Sequence, residues 1–202
     1  MKNKSLLMTI AISIISMSSF AQMKGSFTDS RDGKIYKTVT IGTQTWMAEN
    51  LAYKASSGCW AYNDSISYVA KYGYLYNWGT ALTICPTGWH LPTDAEWTTL
   101  TTFLGGESVA GGKLKETGTT HWNSPNTGTN ESGFTALPGG YRYDSGTFSN
   151  IGHYGYWWSS TEGSTSSAWV RNFYYYGSGV GSYSNNYSSK DNGFSVRCVR
   201  DK

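Results

Sequence analysis

Alternation of apolar and polar residues near the start of the chain predicts a β-hairpin. Residues 35–41 read Ile-Tyr-Lys-Thr-Val-Thr-Ile, and residues 44–47 read Gln-Thr-Trp-Met. β-Branched and aromatic residues favour strands, and Gly42 and Thr43 between the two runs are suited to a tight turn. We therefore predict two antiparallel strands joined by a short loop.

A change to helical spacing marks the middle of the chain, where apolar residues recur at Trp97, Leu100 and Leu104. Thr93 and Glu96 have the spacing of a capping box, in which each side chain binds the backbone N–H of the other residue. Gly105 and Gly106 supply a stop signal. The pattern predicts a helix of about three turns that is capped at its start.

Other segments of the first two thirds are less regular. Aromatic residues crowd between residues 59 and 82, where a short helix is predicted to run through Ala81. Residues 113–115 suit a short strand or a turn. Residues 117–133 are almost all Thr, Asn, Gly, Ser and His, and are predicted to form a long surface loop. Long loops within a domain are often functional.

The last third of the chain predicts three strands, at residues 157–161, 168–176 and 194–199. An uncharged run of Tyr, Ser, Gly and Asn covers residues 172–189. Strand alternation places Trp169 and Phe173 on one face, and Val170, Asn172, Tyr174 and Tyr176 on the other.

Composition and charge limit the class of protein. The 202 residues are poor in charge and rich in Gly, Tyr and Trp, with few apolar helix formers late in the chain. This favours one loop-rich α+β domain, in which the capped helix packs beside twisted antiparallel strands and aromatic rings fill much of the core.

The first 21 residues have the pattern of an export signal. Lys2 and Lys4 precede an apolar run at residues 6–15 that is too short to span a bilayer, and small residues precede Gln22. We expect cleavage before Gln22, a leader at residues 22–28 and one domain over residues 29–202. Without the two lysines, 14 basic side chains face 13 acidic ones, a net charge of +1. This balance argues against a nucleic-acid partner, and no later segment suits a membrane span.

Three cysteines remain in the exported chain, and an oxidising compartment permits disulfides. Cys85 begins the approach to the capped helix, and Cys198 lies in the last apolar alternation. Both positions are predicted to face inward, so we pair them and leave Cys59 as a free thiol.

Several segments together resemble the Fibrobacter succinogenes major paralogous domain family. The matching segments are residues 29–33, 46–51, 72–76, 85–97, 133–142, 158–161 and 193–201. The resemblance covers residues 27–201. It implies an exported, surface-associated bacterial domain, but no defined activity.

More distantly, residues 91–97 and 193–199 are similar to the C-type-lectin-like fold in its formylglycine-generating-enzyme branch. That likeness implies a disulfide between the first helix and the final strand, which independently supports the Cys85–Cys198 pair. Some proteins of this fold are diversified by a retroelement in a Tyr-, Asn- and Ser-rich stretch, and residues 169–192 resemble such a stretch.

The likeness to enzymes of this branch does not extend to their catalytic residues. The formylglycine-generating activity uses a copper-binding cysteine pair, whereas only Cys59 is left unpaired here. An iron-dependent branch uses three histidines with a His-x-Glu element, and His90, His121 and His153 lack that spacing. We therefore predict no catalytic residue, no metal site and no cofactor, and keep a divergent enzyme as an alternative.

Calcium-dependent sugar binding in C-type lectins uses a Glu-Pro-Asn or Gln-Pro-Asp element. The nearest segment here is Ser124-Pro125-Asn126, which lacks the carboxylate that would ligate calcium.

A non-catalytic binding surface fits the late Tyr/Asn/Ser/Gly stretch best, because that palette is typical of antibody paratopes. We predict an exported domain that displays this surface to an extracellular glycan or a surface protein. A structural cell-surface domain with no specific ligand is the second alternative. The candidate binding residues are Asn172, Tyr174, Tyr176, Tyr183, Asn185, Asn186 and Tyr187. We assign Trp46, Trp89, Trp97 and Trp158 to packing.

Overall fold

Two curled sheets and a few short helices make up the mixed α+β fold seen in a computed structural model, which describes residues 22–185 and 188–202. The predicted export signal lies outside the described residues. The strands are β1 (Lys24–Thr28), β2 (Ile35–Ile41), β3 (Gln44–Met47), β4 (Cys59–Trp60), β5 (Leu75–Tyr76), β6 (Trp89–His90), β7 (Gly139–Arg142), β8 (Phe148–Ile151), β9 (Tyr154–Glu162), β10 (Ala168–Tyr174), β11 (Gly181–Tyr183), β12 (Phe194–Ser195) and β13 (Val199–Arg200). The α-helices are α1 (Val69–Tyr72), α2 (Trp78–Ala81), α3 (Asp94–Phe103) and α4 (Glu107–Leu114), and 3₁₀ turns lie at Tyr62–Asp64 and Ile66–Tyr68.

The first sheet has the strand order β1-β2-β3-β13-β6 and is antiparallel throughout. The predicted hairpin is confirmed as β2 and β3, and Gly42 occupies the left-handed region at its turn, with φ 60°. Residues 24–28 of the predicted leader form β1 and pair with β2 along their whole length, so the leader is part of the first sheet.

The second sheet has the order β11-β10-β9-β12-β5-β4, with β7 pairing beside β9. The predicted strands at 157–161 and 168–176 are confirmed as parts of β9 and β10, although β10 ends at Tyr174. The strand predicted at 194–199 is divided into β12 and β13, because each of these belongs to a different sheet. This last segment therefore connects the two sheets.

The capped helix is confirmed as α3. The Thr93 side chain accepts a hydrogen bond from the Glu96 amide, and the Glu96 carboxylate accepts from the Thr93 amide at 2.8 Å. Trp97 is fully buried and its ring lies 4.8 Å from that of Trp46. Arg171 of β10, also buried, donates to the carboxylate of Asp94 at 2.5 Å and ties the start of the helix to the second sheet.

The prediction of a strand or turn at residues 113–115 is wrong for Lys113 and Leu114, which end helix α4. Gly111 and Gly112 lower helix propensity and hid this helix from the sequence pattern. The backbone of residues 178–179 passes directly over it, and a Cβ atom at Gly111 would lie 2.2 Å from the Gly179 oxygen. Glycine is therefore required by the close approach of two backbones.

The core consists of two clusters that are rich in aromatic rings. The assignment of four tryptophans to packing is confirmed, since each is at most 7 % exposed: Trp46, Trp89, Trp97 and Trp158. Between the sheets, the Asn50 side-chain oxygen accepts from Trp157 Nε1 at 2.9 Å and from Arg197 Nη2 at 2.9 Å. Arg197 is 1 % exposed.

The predicted disulfide is confirmed between Cys85 and Cys198, and Cys59 is a half-buried free thiol. The bond joins the segment after α2 to the residue before β13. Burial raises the pKa of the Cys59 thiol, so that it stays protonated at neutral pH. Among the described residues, no helix is both long enough and apolar enough to cross a bilayer.

Changing Cys85 and Cys198 together to Ser should lower the melting temperature by about 5–15 °C. The bond spans 113 residues of sequence, and disulfides stabilise domains by about 2–4 kcal/mol, largely through the entropy of the unfolded chain. For a domain of this size each kcal/mol shifts the midpoint by about 2–4 °C. Calorimetry of the purified exported protein measures the shift, with Cys59→Ser as the control. An equal loss in the control would contradict the pairing.

Candidate ligand-binding surface

The predicted binding residues divide between the core and the surface. Tyr176 is 55 % exposed and Tyr174 is half-buried at the end of β10. Asn185 is exposed just after β11, whereas Asn186 and Tyr187 lie outside the described residues. Two residues differ from the expectation that this set lies mainly on the surface: Asn172, which is only 7 % exposed, and Tyr183, which packs against the core.

The burial of Asn172 follows from strand pairing on both sides. Asn172 lies opposite Tyr156 on β9 and opposite Gly181 on β11. A Cβ atom at Gly181 would lie 1.9 Å from the Asn172 side-chain oxygen, so the amide fills the space that the glycine leaves. Asn172 lies on the predicted face of the strand, but its close fit between β9 and β11 leaves little of its side chain exposed.

At the end of β10 the same face carries a chain of tyrosine rings. Tyr174 lies opposite Tyr154 with ring centroids 6.1 Å apart, and Tyr154 stacks on Tyr156 at 5.8 Å. Tyr141 meets Tyr156 at 5.0 Å. Two exposed rings extend the chain at its ends, Tyr176 beside Tyr174 and Tyr143 beside Tyr141, whereas Tyr141 itself is buried. We call these six residues the tyrosine surface: Tyr141, Tyr143, Tyr154, Tyr156, Tyr174 and Tyr176.

One end of the tyrosine surface is concave and forms a pocket of about 280 Å³. We call it the tyrosine pocket, and it is lined by Tyr141, Tyr143, Tyr156, Tyr183, Asn185 and Phe194. Tyr156 and Phe194 form a stacked pair 5.2 Å apart. Flat rings that surround a small cavity offer apolar faces to a ligand, and their hydroxyl groups offer hydrogen bonds.

Three buried hydroxyl groups of the tyrosine pocket, those of Tyr141, Tyr156 and Tyr183, stay protonated at neutral pH. Burial raises the pKa of Tyr141, Tyr156 and Tyr183 above the ordinary tyrosine range. Tyr141 donates to the Tyr143 hydroxyl at 2.5 Å, and the Asn150 amide donates to Tyr141 at 3.4 Å. These three hydroxyl groups are therefore uncharged, and they can both donate and accept hydrogen bonds.

The sequence interpretation missed Tyr141, Tyr143, Tyr154 and Tyr156 as members of the surface. A signal for them is present, because each pair is spaced two residues apart and so projects from one face of a strand. The expectation was confined to residues after 171, and these four tyrosines precede them.

A buried lysine positions the loop that carries Tyr176. Lys115 is fully buried, and its ammonium lies 2.8 Å from the Tyr174 oxygen, 3.0 Å from the Tyr175 oxygen and 2.9 Å from the Gly177 oxygen. The Thr127 hydroxyl oxygen lies 2.9 Å from the same ammonium, so four oxygens share its three N–H groups. Burial without a paired carboxylate lowers the pKa of Lys115 to about 8.

The 117–133 segment predicted as a loop forms no helix or strand, but it is not wholly at the surface. Trp122 is fully buried and donates to the Ala136 oxygen at 2.9 Å. The Asn126 amide donates to the Glu116 and Gly118 oxygens at 2.7 Å, while its own oxygen accepts from the Gly128 amide. Both ends of the Asn126 amide thus serve to shape the loop.

The three histidines lie in separate places. His90 bridges Glu96 and Asp201, and contact with these two carboxylates outweighs burial and raises its pKa. His121 lies 2.8 Å from the Glu116 carboxylate, and His153 contacts Asn123. Within the described ranges, His, Cys, Asp and Glu side chains form no group of three that could hold a metal ion.

The geometry defines a disulfide-closed α+β domain with an aromatic surface. The chain matches the model of the Fibrobacter succinogenes major domain family over residues 39–200, and it belongs to that bacterial family. No curated protein and no solved structure matches the chain.

Replacing Lys115 by Met should destabilise the protein by about 2–4 kcal/mol, because three carbonyls and a hydroxyl lose their donor. Hydrogen exchange should become faster in residues 174–180. Chemical denaturation and exchange mass spectrometry measure the two effects. The matched control is Lys113→Met at the end of the same helix, expected to change stability by less than about 0.5 kcal/mol. Unchanged exchange in residues 174–180 would contradict the positioning role.

The stability contributed by Lys115 should depend on pH. Its pKa in the folded protein is about 8, below the ordinary lysine value near 10.4. Between these values the unfolded chain binds more protons, so this group makes folding more favourable as the pH rises. The difference in unfolding free energy between the natural protein and Lys115→Met should therefore widen from pH 7 to pH 9.5. If the difference in unfolding free energy narrows instead, the four oxygen acceptors stabilise the charged ammonium by more than burial destabilises it.

Proposed function

We propose that the protein is an exported, non-catalytic binding domain that presents the tyrosine surface to an extracellular ligand. The observation that carries the proposal is the continuous series of rings from Tyr176 to Tyr143, which ends in the tyrosine pocket. Tyrosines give large contact area with little loss of conformational freedom on binding, which suits recognition. A disulfide is typical of proteins that function in an oxidising compartment and supports export.

A glycan is the ligand class that the tyrosine pocket fits best. Its volume of about 280 Å³ lies near the lower end of small-molecule sites. The ring of Tyr143, which is exposed at the pocket, can stack on the apolar face of a sugar, and protonated tyrosine hydroxyls can bond its hydroxyl groups. The exposed ring of Tyr176 favours a surface protein as the second candidate, since tyrosine is enriched at protein interfaces.

A C-type-lectin-like fold is part of the proposal. The disulfide between Cys85, after α2, and Cys198, before β13, supports it, as does the position of the last strands between the two sheets. In this fold a variable surface near the C-terminus would be carried by a scaffold that the Cys85–Cys198 disulfide closes. A retroelement-diversified stretch at residues 169–192 would change Tyr176 and Asn185 while leaving the disulfide intact.

Changing Tyr143 or Tyr176 to Ala should weaken ligand binding by about 2 kcal/mol, or roughly 30-fold, since aromatic anchors often carry that much. Tyr143 is 37 % exposed and Tyr176 is 55 % exposed, so stability should change by no more than about 1 kcal/mol. A glycan array identifies a bound oligosaccharide, and calorimetry then measures its affinity. Phe103→Ala is the control, because Phe103 is 47 % exposed and lies outside the tyrosine surface.

Three outcomes separate the alternatives. Equal affinity in the Tyr variants and in Phe103→Ala would contradict the site. Absence of glycan binding, together with cross-linking of a surface protein through position 176, would favour the protein ligand. Binding of neither class would favour a structural cell-surface domain.

A further inference from the structure

A second concave site, separate from the tyrosine pocket, opens beside the first sheet. It is a cleft of about 360 Å³ and shares no lining residue with the tyrosine pocket. Strands β1 and β2, the segment after β3, helix α1 and the loop at 130–137 supply its walls. Its volume lies within the range of small-molecule sites.

Three lysines line this cleft. Lys37 on β2 lies opposite Ser26 on β1, so Lys24 is a diagonal neighbour of Lys37 on the same face, about 7–8 Å away. Lys71 of α1 completes the set. In the part of the chain that the structure describes, none of the three ammonium groups has a carboxylate at ion-pair distance. Like charges gathered in this way repel each other, and an anion between them would relieve the repulsion.

Arg197 adds a fourth positive charge at the cleft wall. It is 1 % exposed, and its guanidinium is bound to the Asn50 oxygen and to the Phe134 and Thr135 carbonyls rather than to a carboxylate. Burial lowers the pKa of Arg197 to about 9, so it is charged at neutral pH. A fixed charge at the wall of a low-dielectric cleft draws anions toward it.

The two acidic residues of the cleft already have partners. Glu49 accepts from the Lys37 amide at 2.7 Å, and Glu116 binds the His121 ring at 2.8 Å. Their remaining lone pairs can accept hydrogen bonds from hydroxyl groups. A sugar has hydroxyl groups that can donate to these acceptors, whereas an inorganic anion such as sulfate has no donor.

The loop that closes the cleft is held in a strained conformation. Thr135 has φ 55°, an uncommon value for a β-branched residue. Its amide donates to the Asn130 oxygen at 2.9 Å, and its carbonyl accepts from Arg197 at 3.3 Å. Strain of this kind costs about 1–3 kcal/mol and is concentrated at functional sites.

We propose that this cleft binds a sugar unit that carries a carboxylate or a sulfate group. The three lysines would face the anionic group, Arg197 would add its field from the wall, and Glu49 and Glu116 would accept from the sugar hydroxyls. The proposal does not rest on the function proposed for the tyrosine surface.

The test compares two charge-matched triple variants of the exported protein by calorimetry. The cleft variant combines Lys24→Gln, Lys37→Gln and Lys71→Gln, and the control combines Lys54→Gln, Lys113→Gln and Lys202→Gln. The probes are a galacturonic acid trimer, a sulfated galactose trimer, the neutral galactose trimer and sodium sulfate.

At least one acidic trimer should bind the natural protein about tenfold or more tightly than the neutral trimer. The cleft variant should lose about tenfold in affinity for it and the control variant less than twofold, because charged contacts of this kind act locally. Raising the salt to about 0.5 M should weaken binding for the same reason. The cleft variant changes no residue of the tyrosine pocket, so a loss confined to this variant assigns the binding to the cleft.

Equal losses in the two triple variants would show a net-charge effect and overturn the site. Equal affinity of the natural protein for acidic and neutral trimers would do the same. If sodium sulfate displaces the acidic trimer when both are at the same concentration, the cleft recognises only the anionic group. That result would overturn the sugar assignment. Melting temperatures of both triple variants confirm that each is folded.

Discussion

The structure depends on how a single asparagine and a single arginine join the two sheets. The Asn50 oxygen accepts from Trp157 of the second sheet and from Arg197, which lies between β12 and β13. The Asn50 amide nitrogen donates to the Tyr72 oxygen at 2.9 Å. Because β12 belongs to one sheet and β13 to the other, the groups around Asn50 set the angle at which the chain passes between them. A buried polar network of this kind favours a unique arrangement only when its members are bonded, which these are.

A related arrangement supports the loops that form the candidate sites. In each of these loops, main-chain oxygens bind a buried cation. Lys115 binds three carbonyls of the loop after β10, beneath Tyr174 and Tyr176. Arg197 binds the carbonyls of Phe134 and Thr135 at the cleft that Lys24, Lys37 and Lys71 line, the lysine cleft. In both places a buried cation fixes the backbone of the loop through its carbonyl groups, and the loop carries the surface residues. The exposed side chains of these loops are therefore free to differ without loss of the loop conformation.

Local patterns made much of the scaffold predictable from the sequence. The hairpin and the capped helix depend on spacings of two to four residues, such as that between Thr93 and Glu96. The α4 helix was missed because Gly111 opposes helix formation and only a distant backbone explains it. The face of Asn172 was predictable, but not its burial, since strand alternation does not show which neighbours cover a face. The lysine cleft was not predicted at all, because Lys24, Lys37 and Lys71 are brought together only by the fold.

Buried cations bound by backbone differ in one respect from buried ion pairs. An ion pair can be replaced as a unit by apolar residues, often with little effect on stability. The carbonyls around Lys115 and Arg197 cannot be removed by mutation, because they belong to the main chain. When the cation is lost, these oxygens can regain hydrogen bonds only if the loop moves toward water. Each cation therefore determines where its loop lies as well as how stable the protein is, and that position is what a binding site built on the loop requires.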